Sequence, residues 1–198
     1  MSRFLRPAAL LSMLALVLIA PVMLLVAGLV FGSMGRPILF RQWRSGRQGV
    51  PFRMTKFRTM RELRGTTGAL LPDAARTTRI GRFLRRSRLD ELPELINIVA
   101  GDMDVVGPRP LLPETIAAMG ADGTVRGLIR PGLTGLAQVS GNTLLTADEK
   151  LAFDIWYVRH RTLRLDWTIV LRTIVVVIIG ERRSSRDADD ARHSRRGC

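Results

Sequence analysis

The sequence has almost none of the side chains on which thiol and imidazole chemistry depend. Cysteine occurs once, as Cys198 at the last position, so no internal disulfide can form and nothing suggests an oxidising compartment. Histidine occurs twice, as His160 and His193, so a Ser-His-Asp triad is disfavoured and so is a histidine-rich metal site. Among the catalytic side chains, carboxylates remain.

Aromatic and acidic residues are also scarce. Aromatic residues make up 6% of the chain, which disfavours binding of single-stranded nucleic acid through base stacking. The 31 Lys and Arg residues outnumber the 17 Asp and Glu residues and give a formal charge of +14. Such an excess indicates anionic partners, for example lipid head groups or phosphorylated small molecules. A chain of 198 residues has room for one modest catalytic domain and a membrane element.

Charge is entirely missing from residues 7–35, an apolar segment longer than the roughly 20 residues that cross a hydrocarbon core. Arginines flank it on both sides, and cytoplasmic flanks are the ones enriched in Arg and Lys. Pro21 lies near the middle, where a proline removes a backbone donor and favours a kink. We therefore expect a re-entrant helix in residues 1–35 that bends at Pro21 and returns, with a straight span as the alternative.

The rest of the chain alternates between short apolar runs and turn signals. Residues 38–43 and 50–57 predict two strands joined by a glycine-containing turn. Residues 79–86 and 89–99 predict helices, the second beginning near Asp90 or Glu91 because Pro93 is tolerated only in a first turn, and ending at Gly101.

Further along, a helix is expected over about residues 146–160, whereas residues 61–76 are expected to form a loop. The apolar run 169–179 is too short to span a bilayer and is expected to pack on the domain or lie at the interface. The predicted organisation is thus a membrane-inserted segment 1–35, a catalytic domain 36–180 and a disordered charged tail 181–198.

An acidic island interrupts this basic sequence directly after a run of arginines. Adjacent carboxylates at a helix N-terminus are held ionised by the helix dipole, and they suit Mg²⁺ bound together with substrate phosphates. Asp90 and Glu91 are therefore candidate catalytic residues and candidate metal ligands, although such a pair can also serve only as a favourable cap. The carboxylates of the island are Asp90, Glu91, Glu94, Asp102 and Asp104.

Three basic side chains are candidates for binding phosphate. Arg109 stands between two prolines, which stiffens its backbone, and its guanidinium offers a fork of donors that matches phosphate oxygens. Lys56 and Arg58 fall on the same face at the end of the second predicted strand, unless a bulge intervenes. The alternative for Arg109 is a surface loop without a binding role, and the alternative for Lys56 and Arg58 is a solvated basic edge strand.

Taken together and in order, six motifs resemble those of the bacterial sugar transferase family, the monotopic polyprenyl-phosphate phosphoglycosyl transferases. The resemblance runs from about residue 36 to 173. The chain resembles the minimal form of the family, which has no additional transmembrane helices ahead of the catalytic domain. The motifs are Lys56-Phe-Arg-Thr-Met60, Arg82-Phe-Leu-Arg85, Leu89-Asp-Glu-Leu-Pro-Glu-Leu95, Gly101-Asp-Met103, Val106-Gly-Pro-Arg-Pro110 and Arg130-Pro-Gly-Leu-Thr-Gly-Leu-Ala-Gln138.

The resemblance implies a donor such as a UDP-sugar, a polyprenyl phosphate acceptor, Mg²⁺ and release of UMP. It implies that Asp90 attacks the donor phosphate and forms a covalent phosphosugar enzyme, and that Glu91 contributes to metal binding or acid-base work. Arg109 would bind phosphate, with Lys56 and Arg58 as further candidates. It also implies a re-entrant helix in the bacterial inner membrane with the catalytic domain on the cytoplasmic face.

The expected fold is a mixed α/β, mostly helical catalytic domain with short strands, preceded by a re-entrant membrane helix kinked at Pro21. The expected partners are a UDP-sugar, polyprenyl phosphate and membrane lipid, without nucleic acid; homodimerisation is left open. The expected role is the first membrane step of polysaccharide or glycoconjugate synthesis, while the sugar and the glycan pathway are left open. The alternative is a non-enzymatic basic protein, anchored in the membrane, that binds anionic lipid or nucleic acid.

Overall fold

The structure is a computed structural model that describes residues 7–181. This part of the chain is mostly helical, with two small sheets of two strands each. The predicted charged tail lies outside the described residues, apart from Glu181. The helices are α1 Pro7–Met34, α2 Asp73–Arg76, α3 Arg79–Arg86, α4 Glu94–Ala100, α5 Pro113–Ala118, α6 Ala121–Arg126, α7 Leu136–Val139, α8 Ala147–His160 and α9 Leu163–Ile179.

Helix α1 runs unbroken from Pro7 to Met34 with Pro21 inside it. Within the described residues it is the helix that is long and apolar enough, by length and composition, to cross a membrane, and most of its surface is exposed. One stripe of small and branched side chains, including Ala9, Val26 and Val30, packs on α3, α4 and the second strand. The bend and return of the chain at Pro21 stay a prediction.

The predicted hairpin is present as β1 (Leu39–Ser45) and β2 (Pro51–Phe57), paired antiparallel with Leu39 opposite Phe57. Gln48 adopts a left-handed conformation in the connecting turn, with φ 56°. The predicted loop 61–76 contains the short helix α2 at its end. The hairpin places Lys56 near the end of β2, beside α4.

Helix α3 has the predicted bounds, and Thr78 caps it by accepting a hydrogen bond from the Gly81 amide. The next helix was expected to begin near Asp90 or Glu91, and this boundary is wrong. Leu89–Glu91 form a separate 3₁₀ turn and α4 begins at Glu94, because Arg88 turns the chain through a left-handed conformation with φ 55°. Gly101 ends α4 as expected, with φ 84°.

Two short parallel strands follow, β3 (Asp104–Val106) and β4 (Gly132–Thr134). Helix α8 confirms the predicted helix over residues 146–160, and it begins with a capping box in which Thr146 and Glu149 satisfy each other's backbone amides. The predicted apolar run 169–179 belongs to α9, which contacts α7, β3 and β4 but exposes many apolar side chains.

The buried apolar side chains form three clusters, and the two of these that α1 packs against are together called the N-terminal core. The N-terminal core is built from α1, β2, α3 and α4, and contains among others Val30, Phe52, Phe57, Leu84 and Ile98. The C-terminal core is built from β3, α7, α8 and α9, and contains among others Val106, Leu136, Phe153, Tyr157 and Ile169. Val105 packs against both cores and joins them.

Candidate active site

Asp90 and Glu91 lie in the 3₁₀ turn between α3 and α4, packed against the end of β2. Each side chain is largely buried, with the two residues 8% exposed. Asn97 of α4 fixes this turn to the hairpin, because its amide donates to the Arg53 carbonyl at 2.9 Å and accepts from the Thr55 amide at 3.1 Å. The carboxylates and the end of β2 are therefore held in one rigid arrangement.

Glu91 is surrounded by cations. Its Oε1 accepts hydrogen bonds of 2.8 Å from both Lys56 Nζ and Arg109 Nη2, and Arg88 Nη1 lies 3.7 Å from Oε2. Burial alone would raise the pKa of Glu91, but Arg109 and Lys56 outweigh burial and lower the pKa to about 2. The lowered pKa keeps Glu91 ionised at neutral pH, and its carboxylate binds Lys56 and Arg109.

Asp90 has the opposite surroundings. No side chain or backbone group of the described residues donates a hydrogen bond to its carboxylate. Burial, followed by the neighbouring charge of Glu91, raises the pKa of Asp90 to about 6, against the opposing influence of Lys56. Its lone pairs are therefore available, and its basicity is higher than that of an ordinary aspartate.

Glu94, the first residue of α4, contributes a third carboxylate. Its Oε1 lies 3.0 Å from Lys56 Nζ, so one ammonium group serves both Glu91 and Glu94. Burial raises the pKa of Glu94 to about 7; Lys56 opposes this shift and Glu91 adds to it. Glu94 was part of the predicted acidic island, but no role was assigned to it; its spacing of three residues from Glu91 was the available signal.

Arg109 reaches the cluster from the loop that follows β3. Gly107 donates to the Thr134 carbonyl at 2.9 Å and Gly132 donates to the Pro108 carbonyl at 3.0 Å, so the loop lies directly on β4. A Cβ on Gly132 would lie 2.0 Å from the Gly107 nitrogen, which explains the glycine at this close approach. The Arg109 side chain remains 41% exposed, so it can contact Glu91 and a ligand together.

The structure brings together four of the five predicted site residues: Lys56, Asp90, Glu91 and Arg109. It places Arg58 elsewhere. The Arg58 guanidinium donates to the carbonyl of Met34, the last residue of α1, and to those of Gly35 and Arg36 directly after it. These contacts satisfy the carbonyls that a helix end leaves free, so the geometry gives a structural role to Arg58 and no support to phosphate binding.

The arrangement fits a divalent cation in one respect. Two adjacent carboxylates, one with free lone pairs, are the donor set with which Mg²⁺ is bound when substrate phosphates complete its coordination. Within residues 7–181 no cluster of three or more His, Cys, Asp or Glu residues forms a closed metal site. An ion here would therefore depend on the phosphates of a ligand.

Comparison with known proteins defines the class. The family profile described as bacterial sugar transferase matches residues 5–180, and the chain belongs to this family. It is therefore a transferase.

Individual relatives are similar over most of the chain. The protein named "Uncharacterized sugar transferase EpsL" of Bacillus subtilis is 40% identical over 149 residues, 75% of this chain and 74% of the relative. The exopolysaccharide production protein ExoY of Sinorhizobium fredii is 37% identical over 86% of this chain and 83% of the relative. A UDP-glucose:undecaprenyl-phosphate glucose-1-phosphate transferase of Escherichia coli is 37% identical over 83% of this chain, but only 38% of that longer protein is matched.

Proposed function

We propose that this protein transfers a sugar-1-phosphate from a UDP-sugar to polyprenyl phosphate and releases UMP, as the first membrane step in the synthesis of an exopolysaccharide or a related glycan. The observation that carries the proposal is the pairing of Asp90, which has free lone pairs, with Glu91, which holds Lys56 and Arg109 beside it. The names of relatives that act on UDP-glucose and undecaprenyl phosphate support this choice of substrates. Membership of an enzyme family disfavours the non-enzymatic alternative.

In the first step, a carboxylate oxygen of Asp90 attacks the phosphorus atom that carries the sugar. A bond forms between this oxygen and phosphorus, the bond from phosphorus to the bridging oxygen breaks, and UMP leaves with that oxygen. Arg109 and Lys56 bind the phosphate oxygens and offset the charge that repels an anionic nucleophile. The raised pKa of Asp90 favours attack, because a more basic carboxylate is a better nucleophile and is still ionised at pH 7.

In the second step, a phosphate oxygen of the polyprenyl acceptor attacks the same phosphorus atom. The bond to Asp90 breaks, and the carboxylate is regenerated as the polyprenyl-diphosphate-sugar forms. Two separate displacements suit this site, because UMP can leave before the lipid acceptor binds while the phosphosugar stays on Asp90. One small group of cations then neutralises each phosphate in turn.

Mg²⁺ is part of the proposal, with Asp90 and Glu91 as the residues that would hold it. When bound, the ion would supply positive charge to the diphosphate of the donor. Glu91 already accepts from two cations, so its contribution to the ion would be made through lone pairs that Lys56 and Arg109 leave free.

The proposed location is the bacterial inner membrane, with the catalytic domain on the cytoplasmic face. Helix α1 supports membrane association, since its exposed surface consists of large apolar side chains such as Leu14, Leu18 and Leu25. Both halves of α1 contact the domain: Leu16 and Ile19 pack on the N-terminal core near Ile98, and Val26 and Val30 pack near Leu84. Contacts along both halves of α1 support the proposed re-entrant course, which needs both halves to stay beside the domain.

The decisive experiment measures UMP release by the purified protein with UDP-glucose, UDP-galactose or another UDP-sugar and undecaprenyl phosphate. Donor labelled in its sugar is expected to leave label on the protein in the absence of acceptor. The Asp90→Asn variant is expected to lose the label and turnover while remaining folded. The matched control is Asp73→Asn, which removes an exposed carboxylate whose ion-pair partner within residues 7–181 is Arg76 at 3.4 Å.

Substantial turnover by Asp90→Asn contradicts the covalent route. So do initial rates which show that both substrates must bind before UMP is released. In either case direct attack by the lipid phosphate becomes the mechanism. Absence of UMP release with every donor, in the presence of Mg²⁺, contradicts the proposed reaction itself.

A further inference from the structure

Arg126 of α6 and Asp154 of α8 form a buried ion pair that the proposed chemistry does not use. Arg126 Nε donates to Asp154 Oδ2 at 2.8 Å, and each residue is 5% exposed. A salt bridge of this kind usually adds little net stability, because removing two charges from water costs about as much as their attraction returns. The pair therefore requires an explanation other than stability.

The explanation lies in a second hydrogen bond made by Arg126. Its Nη2 donates to the main-chain carbonyl of Arg109, the residue whose guanidinium holds Glu91. Asp154 occupies Nε of the same guanidinium and so fixes the direction in which Nη2 points. A continuous path thus runs from Asp154 through Arg126 and the backbone of Arg109 to the Glu91 carboxylate.

Backbone hydrogen bonds hold the residues on both sides of Arg109, whereas the main-chain carbonyl of Arg109 itself accepts from Arg126. The Pro108 carbonyl accepts from Gly132, and the Leu111 carbonyl accepts from the Ser45 amide at 2.9 Å. Pro110 has no amide with which to make a backbone hydrogen bond. Within the described residues, the hydrogen bond from Arg126 is therefore the contact that holds the main chain at Arg109 itself.

We propose that Arg126 and Asp154 are a positioning pair that fixes the backbone of Arg109, so that its guanidinium meets Glu91 and the donor phosphate in one geometry. The phosphate part of this inference rests on the proposed function, whereas the effect on the loop does not. Small displacements of a positioning group reduce turnover by about 100-fold, so a sizeable rate effect is expected without loss of the fold.

The test replaces both members with apolar residues, Arg126→Met together with Asp154→Leu. Such a replacement of a buried pair is often neutral for stability, so the thermal midpoint is expected to stay close to that of the wild type. Hydrogen exchange at the amides of residues 107–112, which only Gly107, Arg109, Leu111 and Leu112 carry, is expected to accelerate about tenfold or more, as the loss of a hydrogen bond from a charged donor implies. The kcat for UMP release is expected to fall about 100-fold, with less effect on KM.

A double-mutant cycle separates positioning from a general loss of structure. In an Arg109→Ala background the pair has no side chain to aim, so its replacement is expected to cause no further loss of rate. The single variant Arg126→Lys keeps a charge opposite Asp154 but lacks the fork, and it is expected to keep the thermal midpoint and still release the loop. The control is Glu62→Gln with Arg64→Gln, which removes an exposed ion pair and is expected to change none of these quantities.

Exchange in residues 107–112 that remains at the wild-type rate overturns the inference, whether or not turnover is measurable. Full additivity with Arg109→Ala overturns it as well. If the double variant fails to fold, Arg126→Lys decides by the same exchange measurement. If the wild type releases no UMP with any donor, the proposed function fails, and the exchange measurement still decides whether the pair positions the loop.

Discussion

The ammonium nitrogen of Lys56 lies 3.0 Å from Oε1 of Glu94, and the Glu94 side chain is only 3% exposed. The same nitrogen donates to Glu91 at 2.8 Å, so one positive charge faces two buried carboxylates. Glu91 also accepts from Arg109 at 2.8 Å, whereas Lys56 is the cation that lies within ion-pair distance of Glu94 in the described residues. The two carboxylates therefore divide the roles, with Glu91 ionised and the pKa of Glu94 raised to about 7.

The first prediction concerns the pH dependence of stability. The pKa of Glu94 rises from 4.5 to about 7 on folding, so the folded state binds more protons and stability falls as pH rises through this window. Glu94→Gln removes this titration. Relative to the wild type, the free energy of unfolding of the variant is therefore expected to increase between pH 5 and pH 8, by up to about 3 kcal/mol. Thermal midpoints at the two pH values test this, with the exposed Glu62→Gln as control. An equal pH dependence in both proteins contradicts it.

The second prediction concerns Arg109→Lys. A lysine keeps the positive charge but cannot bind Glu91 and a phosphate with one planar fork of donors. Loss of a hydrogen bond between charged groups implies a reduction in kcat/KM of about 10- to 100-fold. Steady-state UMP release measures the effect, and Arg64→Lys on the surface is the matched control. Unchanged turnover in Arg109→Lys argues against a phosphate role.

The third prediction is that turnover requires a divalent cation. The motivation is the adjacent pair of Asp90 and Glu91 together with the diphosphate of the proposed donor. Excess chelator is expected to abolish UMP release, and Mg²⁺ added beyond the chelator is expected to restore it. Full activity in chelator contradicts a metal role for the two carboxylates.

The fourth prediction compares two glycines. A Cβ on Gly132 would lie 2.0 Å from the backbone nitrogen of Gly107, so Gly132→Ala must displace the Arg109 loop or β4. We expect a loss of about 3 kcal/mol in the free energy of unfolding, and reduced turnover. Gly28 of α1 has no atom within 4 Å of such a Cβ, and Gly28→Ala is expected to be neutral or slightly stabilising. Equal thermal midpoints for the two variants refute the close packing.

The fifth prediction concerns topology. If the chain returns at Pro21, the N-terminus and Cys198 both lie in the cytoplasm. A thiol reagent that does not cross membranes is then expected to label Cys198 only after lysis, and a protease is expected to remove an N-terminal tag only after lysis. Access to either end in intact cells restores the straight span.

Local signals predicted the elements that local interactions form. The alternation of residues 50–57 predicted β2, and the turn before it placed β1. Helix α8 has its own capping box at Thr146, so its start could be predicted within a residue. The start of α4 could not, because the left-handed turn at Arg88 is imposed by the packing of the Asp90-Glu91 turn on β2 and not by a residue type that favours it.

Contacts between distant residues set the rest. The pairing of β3 with β4 joins Asp104 to Gly132, and no local pattern announces it. Side-chain chemistry together with the family resemblance grouped Lys56, Asp90, Glu91 and Arg109 as site candidates. Arg58 was grouped with them as well, but in the folded chain carbonyls at the end of α1 accept from its guanidinium, and its phosphate role stays a prediction.

The division of the apolar interior into two cores has a mechanical consequence for the site. Lys56, Asp90, Glu91 and Glu94 lie on elements of the N-terminal core. The Arg109 loop, apart from the contact of Leu111 with Ser45 of β1, is held by β4, α6 and α8 on the side of the C-terminal core. The hydrogen bond from Arg109 to Glu91 therefore crosses the seam where the two halves dock. A small separation of the two halves would break this hydrogen bond before either half unfolds. Activity is therefore expected to be lost at milder denaturing conditions than helical structure.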